Sequence, residues 1–343
     1  MGYRGAGGSQ PGDGCGPPVR GSSDKSGRLT APARIPLANL PTPLTFAPRL
    51  SEELGAKIWL KRDDLTGVGL GGNKARSVEF HMGACHEAGA DVFVTGGGPR
   101  SNWVLTAAAA AAARGLDCEL VLFGDRPPPG TSGVDLLDRL GDVRIHFTGS
   151  PVRASVDPVL GRVEERLVAE GRRPYAVGRG GAGPVGALGY VAAVEEIDDQ
   201  ARRAGIRFDA MWLAAGSCGT IAGLVAGYRR QAGGPLLVGV AVHRPVEECR
   251  RLIEGISEAS LDLLEVRGRY PVRWEVADHL DPDPMEVDAA ARLMARTEGV
   301  FLDPEYGACT LADLIRRAGE VRGPVLLLVT GGTLNLFCGS SAA

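Results

Sequence analysis

Lysine is scarce in this chain. Only Lys25, Lys57, Lys61 and Lys74 occur among its 343 residues, and arginine supplies the rest of the Lys/Arg total. A guanidinium keeps its proton near neutral pH, whereas a desolvated lysine can lose it and attack a carbonyl. No apolar run approaches the roughly 20 residues needed to span a bilayer. The first residues lack the apolar core of a signal peptide. Charge is nearly balanced, with a net of -3 and a pI near 6.0, so neither nucleic acid nor an anionic membrane is expected as a partner. Cys-x-x-Cys is missing. The seven cysteines (Cys15, Cys85, Cys118, Cys218, Cys249, Cys309, Cys338) are odd in number and spread out, which fits a reduced cytoplasm better than a disulfide framework. The histidines are scattered too. His81 and His86 stand five apart, the wrong spacing for two ligands on one helical face, so no metal is expected. Also missing are a Gly-x-Gly-x-x-Gly with an acidic residue about 20 positions on, and a Gly-x-x-x-x-Gly-Lys-Ser/Thr loop. A dinucleotide and a nucleoside triphosphate are therefore not the expected guests.

Residues 1–33 are rich in Gly, Ser and Pro and hold few large apolar side chains. They cannot bury enough surface to offset the entropy of ordering, and a flexible tail is expected. From there the chain is long and apolar enough for a sizeable core. Pro41-Thr42-Pro43-Leu44 reads as extended. Strand-like runs at 57–60, 91–95, 119–123, 143–147, 175–177, 211–215, 236–242 and 325–329 alternate with helical ones. Those are expected at 49–54, 77–88, 132–140, 152–170, 190–204, 221–230, 246–264 (with a break near Gly255) and 285–297, with a further helix carrying the alanine run 107–113. Strands alternating with helices through glycine turns predict an α/β protein with mainly parallel sheets.

Four stretches carry candidate chemistry. Gly71-Gly72-Asn73-Lys74 places one of the rare lysines after a glycine turn. Gly96-Gly97-Gly98-Pro99-Arg100-Ser101-Asn102 joins a strand to a helix start. Unpaired N–H groups there suit an anion, although ordinary capping by Ser101 or Asn102 accounts for the same residues. Gly216-Ser217-Cys218-Gly219-Thr220 repeats the pattern, with glycines that let backbone amides approach a phosphate and hydroxyls that donate to it. The fourth is Asp303-Pro304-Glu305-Tyr306, followed downstream by Thr330-Gly331-Gly332-Thr333.

Lys61-Arg62-Asp63-Asp64-Leu65, then Gly-Gly-Asn-Lys, then Ser101-Asn102, resembles the pyridoxal-phosphate enzymes of the tryptophan-synthase β fold (fold type II). Within them the chain is most similar to the branch of 1-aminocyclopropane-1-carboxylate (ACC) deaminase, D-cysteine desulfhydrase and L-cysteate sulfo-lyase. The resemblance runs from about Ile35 to Phe337. It implies two three-layer α/β/α domains with the cofactor in the cleft between them: a large one from 34–76 and 184–343, and a small inserted one from 77–183. It implies pyridoxal 5'-phosphate as cofactor, a small amino acid as substrate, and a homodimer. By the same resemblance Lys74 would carry the cofactor as a Schiff base, beside Asn73. The loop of Ser101 would grip the substrate carboxylate, and Asn102 would bond the cofactor's phenolic oxygen. Ser217, Cys218, Gly219 and Thr220 would cradle its phosphate, Tyr306 would face the substrate, and Thr330 would lie beside the ring. The implied reaction is α,β-elimination to a 2-oxo acid and ammonia. The alternatives are β- or γ-replacement by a synthase, and a cofactor-binding protein without turnover.

Three departures stand out. Trp103 occupies the place of a family histidine that could shuttle a proton. Gly307 replaces the glutamate that follows the tyrosine in the deaminases, leaving Thr330 as a contact for the ring nitrogen. The stretch Asp278-His279-Leu280-Asp281-Pro282 lacks the deaminases' second tyrosine. Cyclopropane ring opening is therefore not expected.

Overall fold

The computed structural model describes residues 31–130 and 133–337; the tail expected over 1–33 lies outside the described residues for its first 30 positions. In chain order the elements are β1 (Leu44–Phe46), α1 (Pro48–Leu54), β2 (Ile58–Arg62), α2 (Lys74–Glu87), β3 (Val92–Gly97), α3 (Asn102–Ala113), β4 (Asp117–Leu122), α4 (Val134–Leu137), β5 (Val143–Phe147), α5 (Val156–Ala169) and β6 (Pro174–Ala176). They continue with α6 (Pro184–Arg203), β7 (Ala210–Ala215), α7 (Gly219–Arg229), β8 (Leu236–Ala241), α8 (Val246–Leu263), β9 (Trp274–Asp278), α9 (Pro284–Glu298), α10 (Gly307–Arg317), β10 (Val325–Val329) and α11 (Leu334–Phe337).

Two sheets result. One has the order β1-β2-β10-β7-β8-β9, parallel except for the antiparallel β1–β2 pair at its edge. The other is fully parallel, in the order β5-β4-β3-β6. Val325–Val329 is buried along its whole length, as a continuous apolar run must be when both faces of a central parallel strand are covered. The expectation of an α/β protein with mainly parallel sheets therefore holds.

Two helices start earlier than their patterns predict. α2 begins at Lys74 rather than residue 77, and α6 at Pro184 rather than residue 190. Proline at the first helical position costs no hydrogen bond. The glycines that obscure the pattern of α6 are contact points. A Cβ at Gly186 would lie 2.2 Å from the carbonyl oxygen of Gly181, and one at Gly189 would lie 2.4 Å from that of Arg76. Helix α8 runs through Gly255 without the expected break. The sequence pattern predicts neither β9, a half-buried edge strand, nor α10.

A buried polar cluster fixes α2 against β2 and α6. Arg76 grips Asp63 with Nε at 2.7 Å and Nη2 at 2.9 Å. Nη1 and the same Nη2 reach Glu196 at 2.9 and 2.8 Å. Asp63 also accepts from the hydroxyls of Thr42 at 2.6 Å and Tyr190 at 2.5 Å. Lys61, fully buried, donates to Glu196, Gln200 and the Thr42 carbonyl. Burial alone would raise the Asp63 pKa, but the Arg76 charge outweighs it and holds the carboxyl below its ordinary value. Arg76 lies two residues beyond Lys74, so this cluster also sets where the first turn of α2 stands.

Candidate active site

Open α/β sheets bind their ligands outside the carboxyl ends of the strands. Here β2, β10, β7 and β8 are neighbours, with Arg62 paired to Val329 and Ala215 to Ala241 at those ends. The segments that follow them carry Lys74, Thr330, Ser217 and His243. The end of β3 in the second sheet leads to Ser101 and Asn102.

Lys74 is half-buried in the first turn of α2. Among the described residues no ion pair reaches it, and its hydrogen-bond partner is the Ser217 hydroxyl at 3.1 Å. Burial pushes its pKa down from 10.5 to about 8. Lys61 shows the contrast: it is more deeply enclosed, yet a carboxylate lies 2.5 Å away. An enclosed amine without a counter-charge costs stability and marks a functional position.

The glycines before Lys74 are required by contact and by conformation. Gly71 (φ 78°) and Gly72 (φ 112°) both lie in the region that favours glycine. A Cβ on Gly71 would lie 2.2 Å from the Asp64 carbonyl oxygen. One on Gly72 would lie 2.2 Å from Nδ2 of Asn102 and 3.0 Å from the Thr330 carbonyl oxygen. That same Thr330 carbonyl accepts the N–H of Asn73 at 2.9 Å, and Asn73 Nδ2 donates to the Thr220 hydroxyl at 2.9 Å. Asn73, Lys74, Asn102, Ser217, Thr220 and Thr330 are thus linked by direct contacts. Ser101 stands next to Asn102. Its hydroxyl accepts the N–H of Val104 at 3.4 Å, so the capping role is present as well.

The Gly216–Thr220 loop opens α7. Cys218 takes φ 65°, an uncommon conformation for a side-chain-bearing residue, and turns the chain into the helix. The first turn of α7 has no acidic residue and no side-chain cap, so its N–H groups remain open to an anion. Gly180, between β6 and α6, presses on this loop: a Cβ there would lie 2.8 Å from that of Ser217.

Tyr306 enters from the other side. Its ring edge would lie 3.2 Å from a Cβ on Gly216, one residue from the Lys74–Ser217 bond. Asp303, buried, accepts the N–H groups of Glu305, Tyr306 and Gly307 and so fixes the start of α10. Burial raises the Asp303 pKa to about 7. No sequence motif points to His243, Arg153 or Asn335, yet with Glu305 of the Asp303–Tyr306 stretch they cluster at the Tyr306 hydroxyl. His243 Nε2 lies 3.0 Å from that hydroxyl and 2.8 Å from Glu305 Oε1. Arg153 reaches Glu305 at 3.2 Å and Asn335 reaches it at 3.4 Å. The one available signal was positional, because His243 stands just past the end of a buried parallel strand.

Trp103 is not in this cluster. Its indole is buried, donates to the Thr95 hydroxyl at 2.8 Å and packs against His81 and Phe93. The residue that departs from the family pattern thus faces the core beneath α3.

Comparison with known proteins agrees with this geometry. The family model described as "Pyridoxal-phosphate dependent enzyme" matches residues 35–331. The D-cysteine desulfhydrase of Serratia proteamaculans is 38% identical over 319 residues, covering 89% of this chain and 95% of that protein. That of Klebsiella pneumoniae (strain MGH 78578) is 36% identical over 323 residues, covering 90% and 97%. A solved structure described as an ACC deaminase homologue superposes with a TM-score of 0.81 at 34% identity, covering 89% of this chain and 93% of that one. The residues present fit pyridoxal phosphate: an amine without a counter-charge for its aldehyde, and 3.1 Å away a hydroxyl on a glycine loop at an open helix N-terminus for its phosphate. The chain belongs to the pyridoxal-phosphate-dependent enzymes of fold type II.

Proposed function

We propose that this enzyme catalyses α,β-elimination on a small amino acid with a leaving group on Cβ, releasing a 2-oxo acid and ammonia. D-Cysteine is the first substrate to test, in line with the names of the relatives. The observation that carries the reading is Lys74, whose pKa is lowered to about 8 and whose hydrogen-bond partner belongs to the anion-ready loop of α7. When bound, the cofactor supplies the electron sink. In this reading Lys74 anchors the cofactor and then takes the Cα proton. Ser101 and the amides of its loop hold the substrate carboxylate, so that the bond to be broken is oriented. Ser217, Cys218, Gly219 and Thr220 hold the phosphate, Asn73 and Asn102 brace the ring's edge, and Thr330 meets its nitrogen. The division into 34–76 with 184–343 and an inserted 77–183 belongs to the same reading, and so does a homodimer. The four-stranded sheet, drawn wholly from 92–176, supports the division.

The direct test is a panel of D- and L-amino acids with leaving groups on Cβ, scored for 2-oxo acid and ammonia in equal amounts. Equal release from D-cysteine is the expected result. Release that requires an added nucleophile would replace elimination with β-replacement. A second test uses pH. Capture of the aldehyde needs the neutral amine. Cofactor uptake by cofactor-free protein, followed by absorbance, should accelerate with rising pH, pass half its maximum near pH 8 and level off above that. A rate still climbing toward pH 10 would mean that Lys74 is an ordinary lysine.

A further inference from the structure

The hydrogens around His243 can be assigned from its partners. Glu305 is held well below the ordinary carboxylate range, at about 2, by His243 and Arg153, which outweigh its burial. It is therefore ionised and can only accept. The hydrogen in the 2.8 Å contact between Glu305 Oε1 and His243 Nε2 must then belong to the imidazole. A nitrogen that carries a hydrogen cannot accept one, so Nε2 shares its one hydrogen between Glu305 and the Tyr306 oxygen, and the phenol does not donate to it. The phenol's own hydrogen is left unclaimed by His243. The two rings meet edge to face, 5.3 Å apart at 89°, which fixes the oxygen against the imidazole. Burial raises the Tyr306 pKa, so the phenol keeps its proton at neutral pH.

We propose that His243, locked by Glu305 and in turn by Arg153 and Asn335, is a positioning residue that turns Tyr306 into a proton donor for the departing group on Cβ. The proposal rests on the elimination reading above and adds a preference in leaving group. Lys74 takes the proton from Cα, and the Cα–H electron pair forms the new double bond. The Cβ–X bond breaks with its electrons on X, and X takes the Tyr306 proton. His243 Nε2–H bonds the phenolate left behind until water returns a proton to it. Leaving groups that need a proton, such as hydroxyl, depend on this device; chloride does not. The charged groups facing His243 are Glu305 and, beyond it, Arg153. Arg244, next in the chain, is paired with Glu248.

The test compares wild type, His243→Phe and His243→Gln on two substrates. One is 3-chloroalanine. The other is whichever of D- or L-serine and cysteine the wild type turns over faster. Phenylalanine fills the space without an N–H, whereas glutamine keeps a donor. We expect His243→Phe to shift the ratio of the two kcat values by about a hundredfold or more against the proton-requiring substrate, and His243→Gln to restore most of it. An equal fall on both substrates, or none, would overturn the proposal. A wild type that turns over neither substrate would instead overturn the elimination reading. A readout without turnover decides the hydrogen placement in either case. In nitrogen-15 spectra of histidine-labelled, cofactor-free protein, the His243 Nε2 signal, identified by its loss in His243→Phe, should show a bound hydrogen across neutral pH. A bare Nε2 would sink the idea.

Discussion

Lys74→Ala is expected to lower 2-oxo acid release by at least about ten-thousandfold, the upper end of what one positioned proton-transfer group contributes. It should also abolish the absorbance of lysine-bound cofactor. Lys74→Arg should be as inactive, because a guanidinium keeps its charge and cannot form a Schiff base. Lys74→Ala should cost little stability, whereas Lys74→Arg buries a charge with no ionic partner among the described residues and should cost more. The amine's hydrogen-bond partner is one hydroxyl, and burial already disfavours its charged form. In Lys74→Ala a melting temperature near that of wild type, together with lost turnover, separates a chemical role from a structural one. Retention of a tenth of the activity in Lys74→Ala would remove this residue from the mechanism.

The second large effect is on stability. Arg76→Met leaves Asp63 and Glu196 buried without their shared counter-charge, and breaking such a pair costs about 3–5 kcal/mol. The midpoint and slope of urea unfolding measure it. The sign of its pH dependence follows from the two carboxylates. In wild type both are held below their ordinary values of 3.8 and 4.5. Their contribution is therefore complete above about pH 4.5 and is lost as pH falls through the lowered values. In Arg76→Met only the Thr42 and Tyr190 hydroxyls still oppose burial, so the Asp63 value rises and the folded variant takes up a proton more readily. The stability gap between the two proteins should be widest near neutrality and should narrow toward pH 3. A gap that stays constant with pH would show that Arg76 contributes packing rather than charge.

These two arginine and lysine positions also show what was legible in the sequence. Gly-Gly-Asn-Lys could be read because contact and conformation at Gly71 and Gly72 restrict those positions to glycine, and because a lone lysine stands out in an arginine-rich chain. The loop at 216–220 was legible for the same reason, as a glycine turn between a buried strand and a helix. The start of α6 was not. Gly186 and Gly189 look like a loop in one dimension and are helix-to-backbone contacts in three. The His243 cluster was invisible because residues 153, 243 and 335 carry no local pattern and Glu305, though inside a recognisable stretch, meets them only in three dimensions. Trp103 misled in the opposite direction. Its position in the motif is shared, but its side chain turns into the core, where Thr95 satisfies the indole N–H. Local periodicity reports which face a residue occupies, not which distant side chain meets it there.

The strand order has one further consequence, for the newly made chain. Among the described strands β10 is made last, yet it lies between β2 and β7 at the middle of its sheet. Until residues 325–333 arrive, β2 and β7 have no common neighbour, Asn73 has no Thr330 carbonyl to bond, and the turn carrying Lys74 has nothing to rest on. Pairings between such distant segments form late because closing the intervening loop is costly. The nascent protein therefore remains unable to capture its coenzyme until β10 has been made, and chains shortened before β10 should be released without a site.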